Sequence, residues 1–128
     1  MSYYFNKILP MSFEHALAHV TMALKAEGFG VITEIDVTST LKQKIGVDFR
    51  KYRILGACNP KLAYEALQLE DKVGAMLPCN VIVQEVAGGM TEVAAIDPVA
   101  SMQSIDNPQL HVAAENVQAK LKHVITSL

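Results

Sequence analysis

The stretch CNVIVQEVAGGMTEVAAI, residues 79–96, decides the fold, because it reads as two strands joined by a glycine turn. Cys79 to Val86 is β-prone, Gly88-Gly89 supplies the turn, and Met90 to Ile96 returns as the second strand of a hairpin. Asp97-Pro98 ends that strand. Beyond it, Leu110, Ala114, Val117 and Leu121 recur at helical spacing, which predicts a last helix from about Pro108 to Thr126.

Upstream, Arg53 to Ala57 is a short strand, and Asn59-Pro60 combines a capping side chain with a first-turn proline to start a helix through about Leu69. The N-terminal region adds an aromatic, β-prone strand from Ser2 to Leu9, closed by Pro10. Ser12 then caps a helix to about Glu27, with Gly28 as its stop and Phe13, Leu17, Val20 and Leu24 as its core stripe. Val31 to Leu41 alternates. Val31, Thr33, Ile35 and Val37 face one way and Ile32, Glu34, Asp36 and Thr38 the other, which predicts a strand with one dry and one largely polar face. Lys42 to Tyr52 reads as a basic connector.

The order β-α-β-β-α-β-β-α predicts an α+β fold, a two-layer sandwich with helices on one face of a mostly antiparallel or mixed sheet. Its first six elements follow the ferredoxin-like order. No period of 20–50 residues repeats and no Ser/Gly/Pro-rich linker interrupts the chain, so residues 1–128 read as one domain. An apolar content of 51% with 19% charged residues excludes a disordered chain. A net charge of −2 argues against a globally basic nucleic-acid binder. The longest apolar runs, Val81–Val83 and Val93–Ile96, fall far short of the ~20 residues of a spanning helix, and no signal-peptide pattern opens the sequence. Two cysteines without a disulfide framework fit a reducing interior. The expectation is a cytoplasmic protein without a nucleic-acid or membrane partner.

GFGVITEID (Gly28–Asp36), ILGACNPKLAYEAL (Ile54–Leu67), LPCNVIV (Leu77–Val83) and Asp97-Pro98 resemble the bacterial and archaeal family called domain of unknown function 302. LGACNP followed by LPCNV is the specific pair, and the resemblance runs from about Ser12 to Met102. Residues 104–128 read as a C-terminal helical extension outside that core. The resemblance implies a compact α+β fold and a dimer. It implies no established reaction.

Chemistry is sought first at the two Cys-Asn pairs. Cys58 stands just before a helix N-terminus, where backbone N–H groups and the helix dipole favour a thiolate, so it is the candidate nucleophile. Asn59, Cys79 and Asn80 join it as candidate ligand-binding residues, with Glu34 from the polar side of its strand. The commonest role of such cysteines is that of small core hydrophobes. Twenty residues separate them, without CxxC or a following His, so neither a structural zinc site nor a thioredoxin-like motif is expected. If the strands at 53–57 and 79–86 ran parallel, the two thiols would lie too far apart for a disulfide. His15 and His19, spaced i, i+4, lack the Glu of a hydrolase motif and read as surface residues.

Residues 42–53 hold five basic side chains against Asp48 alone. Lys42, Lys44, Arg50 and Arg53 are therefore candidates for a small anionic ligand, with a solvated loop as the plainer reading. No cofactor or metal is expected. The leading functional reading is a small homodimeric ligand-binding or sensing module around the Cys-Asn pairs. The alternatives are a thiol-dependent enzyme using Cys58 and a structural protein-interaction module.

Overall fold

Asp36 is where the sequence pattern and the fold part company. The computed structural model describes residues 2–128. Strand β1 (Tyr4–Leu9) leads through α1 (Phe13–Ala26) to β2 (Gly30–Asp36), and the chain then turns into helix α2 (Val37–Ile45). The alternating pattern predicts strand through Leu41, with the connector beginning at Lys42. Two local signals override it. The Asp36 carboxylate accepts from the Ser39 backbone N–H at 3.0 Å, an N-cap. Gly46, at φ 69°, closes the other end in the left-handed region. Lys42 and Lys44 therefore sit in the last helical turn, where positive charge complements the helix dipole.

The remaining elements are β3 (Tyr52–Cys58), α3 (Pro60–Leu69), a 3₁₀ segment (Asp71–Met76), β4 (Cys79–Val86), β5 (Met90–Ile96), α4 (Pro98–Ser101) and α5 (Pro108–Thr126). Three of the helices start with one device, an Asx cap followed by proline: Asn59-Pro60, Asp97-Pro98 and Asn107-Pro108. Asp97 does more than cap, because its carboxylate also accepts from Gln118 Nε2 and so ties α4 to α5.

The five strands form one sheet in the order β1-β5-β4-β3-β2, and every neighbouring pair is antiparallel. This is the expected α+β sandwich, but its strand order is not that of the ferredoxin-like arrangement. There each crossover spans an intervening strand. Here β3 and β4 are direct neighbours, because α3 and the 3₁₀ segment leave and return at the same end of the sheet. The antiparallel register pairs Ala57 with Cys79, so Cys58 lies one residue from the position opposite Cys79. The separation predicted from parallel strands does not hold. Both thiols are nonetheless free.

A register shift between Val31 and Thr33 makes a bulge at Ile32. One extra residue flips every later side chain to the other face. Val31 pairs with buried Ala57, whereas Thr33 and Ile35 pair with Gly56 and Ile54 on the opposite face. Glu34 and Asp36 accordingly lie on the helix side, the reverse of the predicted alternation. As an edge strand, β2 has no fully dry face.

The helix side of the sheet carries the core. Leu55, Ala57, Cys79, Val81, Val83, Val93 and Ala95 are buried beneath α1 and α5, against Val20, Leu24, Phe29, Leu121 and Val124. A second cluster, Ala66, Val73, Met102, Leu110 and Ala114, joins α3, the 3₁₀ segment and α5. Helix α5 thus contributes to both clusters. Residues 108–126 belong to the core of the fold rather than extending from it.

Candidate functional site

Between the two clusters lies a cavity of about 360 Å³. Its floor is the end of β3 and the start of β4, with Ala57, Cys58 and Cys79. Its walls are Leu62, Ala63 and Ala66 from α3 and Leu110, Ala114 and Val117 from α5, with buried Phe29 and Met102 also lining it. The cavity exists because the facing helices carry alanines at positions where larger side chains would meet. Ala63 and Ala66 from α3 and Ala113 and Ala114 from α5 all line it. These small residues on otherwise apolar helix faces are the signal that sequence reading passed over.

Of the Cys-Asn residues, three reach this cavity. Cys58 is half-buried and Cys79 buried, and both line it together with Asn59. The Asn59 side chain is committed on one side, since its Oδ1 accepts from the Leu62 backbone N–H at 3.2 Å to cap α3. Gly28 approaches it so closely that an added Cβ would stand 3.0 Å from Asn59 Nδ2. Asn80 is exposed on the other face of the sheet, opposite Gly56. Glu34 does not line the cavity either. It bonds Arg53, as does Asp36.

The four candidate anion-binding cations are not gathered into one place. Lys42 pairs with Asp48 at 2.8 Å, and Arg53 pairs with Glu34 and Asp36. Arg50 donates from Nε to Gln84 Oε1 at 2.8 Å and lies over the Phe49 ring. Lys42 and Arg53 share a cleft with the acidic groups Glu14, Asp36 and Asp48, and neither Arg50 nor Lys44 lines it.

Burial pushes the Cys79 thiol up to about 11, with Cys58 adding to the effect. At neutral pH it is a protonated, inert wall of the cavity. Among the described residues, no His, Asp, Glu, Lys or Arg lines the cavity, so nothing there can serve as a general base for Cys58. No set of three or more His, Cys, Asp or Glu side chains suited to a metal ion occurs among them. What the arrangement can do is take an uncharged, apolar molecule or group out of water. A thiol reagent added to the native protein should therefore modify one cysteine, Cys58, and reach Cys79 only after denaturation. Two equally fast thiols in the folded protein would contradict the assignment of Cys79 as the buried one.

An antiparallel five-stranded sheet backed by helices, with an apolar cavity at one end of the sheet, defines a small α+β domain. The profile of the family described as Domain of unknown function DUF302 matches residues 5–128, and the chain belongs to that family. The matched span takes in residues 104–128, beyond the reach of the LGACNP and LPCNV motifs. The fold is similar to the crystal structure of uncharacterized conserved protein DUF302 from Bacillus stearothermophilus, with a TM-score of 0.91. The two share 27% sequence identity over 98% of each chain. Comparison with curated proteins gives no match. Among the described residues, no helix is long and apolar enough to cross a membrane.

Proposed function

We propose that the protein is a small homodimeric module that binds or senses an apolar ligand in the cavity between α3, α5 and the β3–β4 end. One observation carries this reading: about 360 Å³ of space lined by apolar side chains, with the Cys58 and Cys79 thiols and the Asn59 amide as its few polar groups. That volume is in the range of small-molecule sites, and the absence of lining charge selects against ions. The basic residues of 42–53 stay outside this reading, because Lys42, Arg50 and Arg53 are already engaged by neighbouring side chains. Free thiols at Cys58 and Cys79 support a reducing, cytoplasmic setting.

The test uses an uncharged apolar fluorophore, N-phenyl-1-naphthylamine. Saturable binding of one probe per chain is expected, together with slower labelling of Cys58 when the probe is present. Ala63→Trp places an indole in the cavity from a half-buried wall position and should weaken binding at least tenfold. Probe binding that is absent, or unchanged in Ala63→Trp with Cys58 equally reactive, would overturn the reading.

A further inference from the structure

The sheet face turned away from the helices is uncovered and mostly apolar. Register places Ile35, Ile54, Ile82, Ala94 and Asn6 side by side, one from each strand, as a row across the whole sheet. A second row holds Thr33, Gly56 and Asn80 and ends in Ile96 and Tyr4, and a third runs from Tyr52 through Gln84 and Glu92 to Ile8. Ile8 and Ile35 are about half exposed, at 51% and 49%. Glu92 is the only carboxylate in these rows among the described residues. Its two oxygens accept from Asn6 Nδ2 at 2.9 Å and Gln84 Nε2 at 2.7 Å, so it can be covered without a partner charge.

We infer that a second copy of this chain covers this face, its sheet packed against the first. The inference rests on the homodimeric part of the function proposed above and is independent of the cavity. Strands about 4.8 Å apart and three rows, half-buried at the centre and exposed at the edges, outline a patch of roughly 500 Å² per copy. Two copies then bury on the order of 1,000 Å², the size at which specific pairs begin. The chemistry favours a copy over other occupants. No Lys or Arg stands in the rows themselves, and Arg50, which leans on the third row, is engaged by Gln84 Oε1 and the Tyr52 ring, so one held cation and one satisfied carboxylate offer little to an anionic lipid surface or a charged partner. Ile82 is in the middle row of the middle strand, so a two-fold axis passing over it sets the isoleucine row against itself. Apolar faces of this kind pack about 10 Å apart in sheet sandwiches.

Light scattering and sedimentation of the full chain at 1–100 µM test this. The wild type should be a dimer. Ile82→Lys brings two like charges together at the axis and should weaken it at least 100-fold, leaving a folded monomer by circular dichroism. Ile82→Ser removes apolar contact without adding charge and should weaken it about tenfold, which keeps the test valid if the lysine variant does not fold. Ile32→Lys, at the mouth of the cavity, should leave the dimer intact. A dimer that survives Ile82→Lys and Ile82→Ser would overturn the assignment of this face while the homodimer stands. A wild type that stays monomeric at 100 µM would overturn both.

Discussion

Phe29→Ala is expected to lower stability by about 3–5 kcal/mol, the range for a large buried aromatic truncated in a packed core. Phe29 is only 2% exposed and packs in the main core while also lining the cavity. Its place is set by the end of α1. Gly28 adopts φ +86°, and the Phe29 backbone N–H donates to the Leu24 carbonyl at 2.9 Å, so the ring is turned inward as the helix stops. A loss of this size is a large share of the 5–15 kcal/mol typical of a domain, and thermal unfolding should shift down by roughly 10–20 °C. Removing the ring also enlarges the cavity. N-phenyl-1-naphthylamine should therefore raise the melting temperature of the variant more than that of the wild type, by binding only the folded state. A variant melting within about 3 °C of the wild type would show that the ring is not a core residue.

The protein should lose about 2 kcal/mol of stability between pH 9 and pH 11 through the Cys79 thiol. Its thiol is pushed from an ordinary value of 9.0 to about 11, chiefly by burial. Above pH 9 the unfolded chain releases this proton while the folded chain retains it. The folded state then binds more protons, so stability falls as pH rises through this window. Below pH 9 both states are protonated and the stabilisation is fully present. Two pKa units correspond to about 2.7 kcal/mol as the upper limit. Urea unfolding of the wild type and of Cys79→Ala across pH 8–11 reads the difference directly. The alanine variant should be less stable at pH 8, through lost packing, and should show a correspondingly shallower decline above pH 9. Parallel pH profiles for the two proteins would place the buried proton elsewhere.

Much of this architecture is local in origin and legible as such. The hairpin 79–96 forms around Gly88 and Gly89, both at positive φ, because no other residue takes that turn so readily. Asn59-Pro60, Asp97-Pro98 and Ser12 each start a helix through a side chain that satisfies an otherwise unpaired backbone N–H. Residues 37–45 illustrate where pattern reading stops. Val37, Thr38 and Thr40 suit a strand by composition, yet the Asp36 cap and the Gly46 stop decide for a helix. Both signals stand in the sequence, directly after an alternation that suits a strand.

The sequence by itself determined the class of fold, the helix starts and turns, and the family, since each depends on residues close together in the chain. The tertiary structure alone decided the strand order and the bulge at Ile32 that moves Glu34 to the helix side. It also decided the cavity, for a void is a property of several elements at once. Ala63, Ala66, Ala113 and Ala114 are unremarkable helix formers until α3 and α5 are laid over the same end of the sheet. Only then does the side-chain volume they lack become space that a ligand can occupy.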